Sequence, residues 1–423
     1  MELVQLTKEE FRVFSEARDD YNIWQSVDMA EMREIAGFPC EFVGLKRDGE
    51  LAAAGMLSYR TVMGFRQYYA PRGFLVDFND HELLTCFLTE VKKYCKKHHA
   101  LSIRFDPYIP YKERNLDGEL VEGGFDNSAI VETILKCGYQ HHGFTRGIDL
   151  SRECRWMYTI PLKGHTEESL LASFERNARR SVQRTIKYRI YTKELDESNV
   201  DEFIRVAVAT GERRGFEVRT PEYYRNLLKH FGSRGHAMFL SAVINMDYYL
   251  ESIRADAAEE QKVIDDCNVK LARNPDSVKI NKRKKISEDV LASYDKRIEE
   301  ALKIQKEKGN EIALSSSVFF VNKNEIMCLL AGVYEEYKQF ASPFALHWQM
   351  MKYGIEHGIG RYNLYGISGI FDESADDYGV YLFKKEFNGE VVELIGEFEA
   401  SCSFMNGIYK TLSRIKNRKA SNE

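Results

Sequence analysis

The sequence contains no C-x-x-C pair. Its eight cysteines are scattered from Cys40 to Cys402, which excludes a zinc ribbon and a dithiol redox motif. It has no H-E-x-x-H, so the helix-borne zinc site of a metallohydrolase is excluded as well. Neither G-x-x-x-x-G-K-[ST] nor G-x-G-x-x-G occurs, which removes the usual cradles for nucleotide phosphates. No apolar run approaches the length of a membrane span. The start, MELVQLTKEEF, lacks the basic-then-apolar order of a signal peptide. A cytoplasmic protein with free thiols is expected. The net charge of −5 argues against a basic coat for generic nucleic-acid binding, though not against a local basic patch.

What is present is an alternation of strands and helices across 423 residues, enough for two or three domains. Residues 41–60 read as a hairpin around Asp48-Gly49. Residues 81–99 have helical spacing, with Leu84, Phe87, Leu88, Val91 and Cys95 on one face. A second unit opens near Trp156, with residues 169–190 reading as a helix that runs into a short basic strand, helices over 199–216 and from Thr220, and a strand over 236–245. From Met246 to Lys308 the character changes. Met246, Leu250, Ile253, Ala257, Glu260, Ile264, Cys267 and Leu271 recur at spacings of four and three. After Asn274-Pro275 the rhythm returns at Ile280, Lys284, Ser287, Leu291, Tyr294, Ile298, Ala301 and Gln305. This predicts an antiparallel two-helix arm about 40 Å long, with the basic tip KINKRKK (279–285). Strands and helices resume after Gly309, so the arm is an insertion.

Four segments carry candidate chemistry. ERNARRSVQRTIKYR (175–189) places Arg179, Arg180 and Arg184 among six basic residues in fifteen, a pattern suited to a polyanion or to a solvated helix face. Arg219 stands just before a helix N-terminus, where a guanidinium and free N–H groups favour phosphate. Asp106 in RFDPYIPY ends a buried strand, as site carboxylates and turn caps both do. The stretch 363–389 gathers glycines, acids and the segment VYLFKKEFNG. That segment reads as a strand packed on both faces, in which one of Lys384 and Lys385 must lie with aromatic residues. Such a cation either snorkels to Asp376 or Asp377 or meets something negative in a cavity.

In their order along the chain, YAPRGFLVDF, RFDPYIPY, NARRSV, RTPEYY, the arm, RYNLYGISG, DDYGVYLFKKEF and ELIGEF resemble the FemA/FemB/FemX, MurM and MurN family of peptidoglycan interpeptide-bridge aminoacyltransferases. The resemblance covers essentially the whole chain, and the arm points to the long, FemA-like branch. It implies an α/β (α+β) fold of two GNAT-like domains: residues 1–153, then 154–245 with 311–400, with the arm at 246–310 and a tail at 401–423. It implies transfer of glycine, alanine or serine from aminoacyl-tRNA to the stem-peptide amine of lipid II or branched lipid II. By resemblance Arg219 and Tyr223 fall on acceptor-binding positions, together with Tyr365 and Gly366. Lys384 falls on the functional lysine of an F-K-x-x-F motif, and Asp106 on the acid of a D-P motif. Arg33 is the nearest counterpart of a basic acceptor-phosphate residue. The family's Tyr-Tyr-Ala-Gly strand is here Cys328-Leu329-Leu330-Ala331-Gly332, so an aromatic hydroxyl contact is missing.

An aminoacyl ester is already activated, so no cofactor and no metal are expected. Catalysis then rests on positioning and on stabilising charge at oxygen. Lys384 is the candidate for that charge, and Asp106 for taking or orienting the amine proton. Arg179, Arg180 and Arg184 are tRNA candidates. Transient contact with the inner leaflet is expected, as is a homodimer or a heterodimer with a related transferase. Two rival readings remain. One is an acetyl-CoA-dependent acetyltransferase; the lone G-x-G, Gly358 to Gly360, has Ile355 where the pyrophosphate motif needs Gln or Arg. The other is a non-catalytic scaffold that docks a sister transferase through the arm.

Overall fold

The computed structural model describes residues 1–149, 152–215 and 217–420. The first unit runs β1 (Glu2–Leu6), α1 (Lys8–Ala17), α2 (Val27–Ile35), β2 (Cys40–Arg47), β3 (Glu50–Val62), β4 (Phe65–Ala70), α3 (His81–Lys97) and β5 (Ala100–Phe105). Next come β6 (Pro110–Glu113), α4 (Ser128–Lys136) and β7 (Gln140–His141). The second unit begins with β8 (Trp156–Pro161), α5 (Glu167–Ser173), α6 (Arg176–Lys187), β9 (Tyr191–Glu194), α7 (Asp201–Arg214), α8 (Pro221–Phe231) and β10 (Ala237–Asn245). The arm is α9 (Met246–Arg273) and α10 (Val278–Lys308). The chain then continues with β11 (Glu311–Val321), β12 (Glu325–Val333), α11 (Ser342–Glu356), β13 (Arg361–Ile367), α12 (Tyr378–Lys385), β14 (Glu390–Leu394), β15 (Phe398–Ser401) and α13 (Met405–Ala420).

The two units repeat one topology. β1-α1-α2-β2-β3-β4-α3-β5 in the first corresponds to β9-α7-α8-β10-β11-β12-α11-β13 in the second. In each, four antiparallel strands lead to one parallel pair, β4 with β5 and β12 with β13. The fold is thus α/β with two GNAT-like units. Hydrophobic periodicity builds it: α3 buries Leu83, Leu84, Phe87, Leu88, Val91 and Cys95 on its sheet, and Asp80 caps its first turn. The Asp48-Gly49 turn joins β2 to β3 with both residues at positive φ, as a tight hairpin requires. At the equivalent connection of the second unit stands the arm.

The arm follows its heptads. The seam positions of α9 and α10 are buried or half-buried along their whole length, while most positions between them are exposed. Asn245 caps α9 by accepting from the N–H groups of Asp247 and Tyr248. Arg297 ties the root of the arm to the body by donating to the hydroxyls of Tyr188 and Tyr249.

Two expectations are corrected. The segment 380–389 is not a strand: residues 378–385 form α12, and the buried residues Tyr381, Lys384 and Phe387 recur every three positions, as on one helix face. Domain boundaries at 153 and 400 also cut across the sheets. β6 joins the second sheet beside β14, and β15 enters the first sheet between β5 and β7. Each unit therefore completes its sheet with a strand contributed from the other side of the boundary.

Candidate functional site

The site is built where parallel strands part. β12 and β13 pair only from Glu325 with Arg361 to Met327 with Asn363. Beyond this, Tyr365 adopts φ +63°, and the pairing of β13 with β8 shifts register between Asn363 and Gly366. Asn363 stabilises this bulge by accepting from the Tyr365 N–H at 2.7 Å. The carbonyls of Tyr365 and Gly366 are thereby turned towards α12. Lys384 Nζ donates to both, at 3.3 and 2.6 Å. Its side chain is only 8% exposed, among Cys154, Cys328 and Asp377. Burial lowers its pKa to about 8, and the weak pull of those neighbours offsets this only in part. Burial also raises both thiols, Cys328 to about 12, so both thiols beside Lys384 are neutral at pH 7 and the acid that pulls on it is Asp377. Lys385 behaves in the opposite way: it reaches outward to Asp117 at 2.8 Å. The pair of lysines thus divides into one snorkelling cation and one buried cation.

Across the cleft the first unit offers a second buried charge. Arg72, in the β4–α3 connection, donates its backbone N–H to Asp106 Oδ1 at 3.0 Å, and its guanidinium lies 3.3 Å from Oδ2. Tyr69 donates its hydroxyl to the same Oδ1 at 2.9 Å. The guanidinium also donates to the Cys154 carbonyl at 2.6 Å and lies over the rings of Trp24 and Tyr108. Asp106 is 6% exposed, and burial raises its carboxyl to about 6 against the pull of Arg72. Oδ1 accepts from Tyr69 and from the Arg72 N–H, while Oδ2 has only its ion pair with Arg72 and no hydrogen-bond partner.

A further carboxylate beside Arg72 is Glu153, in the segment joining the units. Its side chain is 25% exposed. Tyr365 donates its hydroxyl to Glu153, and Arg72 lies 4.0 Å away. Tyr365 therefore bridges the two charges, with its carbonyl on Lys384 and its hydroxyl on Glu153. Trp24 stacks on Tyr365 with centroids 5.9 Å apart. Tyr223 lies within electrostatic reach of Glu153, Arg33 and Arg219, and burial raises its pKa. Arg219 is exposed and sits over the Tyr223 ring at 5.8 Å. Thr220 caps α8 by accepting from the Tyr223 N–H, with Pro221 in the first turn. Arg33 lies over Tyr69, and its buried Nε has no hydrogen-bond partner.

A continuous chain of contacts thus links Arg33, Tyr69, Asp106, Arg72, Glu153, Tyr365 and Lys384, with Tyr223 and Arg219 at its rim. Arg179, Arg180 and Arg184 are not in that chain. They are exposed on α6, whose buried face is Ala178, Ser181, Val182 and Thr185. α6 nonetheless starts beside the end of α12: Glu175 donates its N–H to the Glu386 carbonyl, and Asn177 donates to the Glu386 carboxylate at 2.7 Å. Arg184 also lines a cavity at the root of the arm with Tyr188, Tyr249 and Arg297.

Sequence reasoning missed Glu153, Arg72 and Trp24. Arg72 was visible within YAPRGFLVDF, but nothing local marked Glu153, which gains its place only when the two units meet. The lone G-x-G follows the C-terminus of α11, where helix carbonyls repel phosphate. That placement disfavours a pyrophosphate loop there.

The sequence profile described as the FemAB family matches residues 6–414. The chain is similar to "Aminoacyltransferase FemA" of Staphylococcus aureus (strain bovine RF122 / ET3-1), with 30% identity over 421 residues, covering 99% of this chain and 100% of that protein. The same holds for "Aminoacyltransferase FemA" of S. aureus strain MRSA252. Among solved structures it is similar to "Crystal structure of FemX", with a TM-score of 0.75 and 23% identity, covering 95% of this chain and 97% of that one. This last likeness concerns the fold.

Proposed function

This chain belongs to the FemAB family and is an aminoacyltransferase; from that premise we propose that it moves glycine, alanine or serine from aminoacyl-tRNA to the stem-peptide amine of lipid II or a branched lipid II. The observation that carries the reading is the buried Lys384, held by two carbonyls at the mouth of the β12–β13 opening. A cation so placed is preorganised for negative charge that appears only during reaction.

The acceptor nitrogen attacks the ester carbonyl carbon. A C–N bond forms, the carbonyl electrons move to oxygen, and the C–O bond to the ribose then breaks. Lys384 stabilises the oxyanion, and with a pKa near 8 it is also suited to hand a proton to the departing ribose oxygen. Glu153 receives the acceptor ammonium and takes the proton it must lose. Arg72 and Asp106 hold the segment that carries Glu153. Arg219, Tyr223 and Arg33 receive the acceptor's diphosphate, with Tyr365 and Gly366 shaping the pocket. Arg179, Arg180 and Arg184 meet the tRNA backbone beside α12. The acceptor is lipid-linked, so the enzyme works in transient contact with the inner leaflet, from the cytoplasmic side.

The test is transfer of label from tRNA charged with glycine, alanine or serine onto lipid-linked precursor with an unmodified or a one-residue stem branch. Label moving from one tRNA to one acceptor supports the reading. A folded protein that transfers none in any combination refutes it and favours a scaffold role for the arm.

A further inference from the structure

We propose that the outer face of α13 is a docking surface for an anionic lipid bilayer. The proposal deepens the membrane contact in the reading above and rests on it for the source of lipid; the surface itself is argued from the helix. α13 is pinned on one side. Asn406 is buried and donates to Ser401 and Glu399, at 2.9 and 3.4 Å, and Lys410 pairs with Glu399 at 2.8 Å. His142 holds the same carboxylate at 3.1 Å. These bonds fix which side of the helix meets β15 and leave the opposite side outward.

On that outward side stand large apolar residues. Phe404, just before the helix, is 83% exposed, Ile408 47% and Leu412 50%. A spacing of four places them in one stripe. Three large hydrophobic side chains kept in water along one stripe need a partner.

Charge decides which partner. From 405 to 420 the sequence has Lys410, Arg414, Lys416, Arg418 and Lys419 and no acid, in a chain whose net charge is −5. A second copy of this chain docking by two-fold symmetry would set α13 against α13, cation facing cation. An apolar stripe on a strongly cationic helix matches a layer that is apolar beneath and anionic on top. The helix lies on such a surface and does not cross it: among the described residues no helix is long and apolar enough to span a membrane.

The experiment is co-sedimentation of the full chain with vesicles. One set contains phosphatidylglycerol and phosphatidylcholine, the other phosphatidylcholine alone. The wild type is compared with F404S/I408S/L412S and with K416Q/R418Q/K419Q. Near-ultraviolet circular dichroism and transfer to a soluble stem-peptide analogue show that the variants are folded. We expect at least tenfold stronger partition onto the anionic vesicles, weakening at high salt. The serine set should lose at least tenfold of this, and the glutamine set should lose the preference for anionic lipid. Absence of partition, or partition indifferent to both sets, overturns the proposal. So does concentration-dependent dimerisation abolished by the serine set. Failed partition with transfer intact removes this surface and leaves the transfer reading standing. Partition without transfer on any substrate does the reverse.

Discussion

Replacing Lys384 by methionine removes the charge and keeps most of the volume. Burial holds the native pKa near 8, while the unfolded chain has the ordinary value of about 10.5. Between these values the unfolded chain binds more protons than the native one, so this group makes stability rise with pH. Below pH 8 the cost of keeping the ammonium in the cleft is fully present, about 3 kcal/mol at about 1.4 kcal/mol per pH unit. It fades as pH climbs towards 10.5. Lys384→Met has no such titration, although it leaves the Tyr365 and Gly366 carbonyls without their donor, at about 1–3 kcal/mol. At pH 7 the two effects nearly cancel, so the slope is the test and the offset is not. We expect the stability of wild type minus variant to rise by about 2–3 kcal/mol from pH 7 to pH 10. Urea unfolding followed by tryptophan fluorescence reads this in the right unit, because Trp156 and Trp348 lie in its core. In the same variant, turnover should fall about 100-fold or more with little change in acceptor KM. A difference flat with pH would refute the buried cation, and unchanged turnover would refute its catalytic role.

Glu153→Gln should lower kcat about 100-fold or more in single-turnover transfer assays; unchanged kcat assigns the proton to another group. Asp106→Asn should destabilise the protein by about 3 kcal/mol, because the buried Arg72 loses its charge partner, and denaturant titration measures this. Arg219→Ala should raise acceptor KM about tenfold or more and leave kcat nearly unchanged, in steady-state assays with varied acceptor. Substituting Arg179, Arg180 and Arg184 together by alanine should weaken tRNA binding and flatten its dependence on salt, and filter binding at several salt concentrations reads both.

The arm was legible because a heptad seam is a local pattern, and burial along α9 and α10 follows it residue by residue. The start of α8 was legible for the same reason, since Thr220-Pro221 carries its own cap. The segment 380–389 was not. Its aromatic and β-branched residues favour a strand, but Tyr381, Lys384 and Phe387 are buried together on a helix face packed in the second unit's core. Even so, the anomaly read from the sequence, a lysine set among aromatic residues, survives the change of secondary structure. Of the residues that motifs single out, the structure buries Lys384 and sets Arg219 over the Tyr223 ring. Glu153 was invisible because its setting comes from Tyr365 and Arg72, far away in sequence.

The placement of β15 between β5 and β7 has a consequence for how the polypeptide is made. The strands β1 to β5 leave the ribosome well before β15, and their sheet lacks an interior strand until residues 398–401 emerge. At about 5–20 residues per second, β5 waits tens of seconds with an unpaired edge. An exposed edge of that kind pairs readily with other chains. A nascent-chain chaperone should therefore occupy this edge, and truncation before Phe398 should yield aggregation and not a smaller folded enzyme. β15 acts as the latch that closes the first sheet.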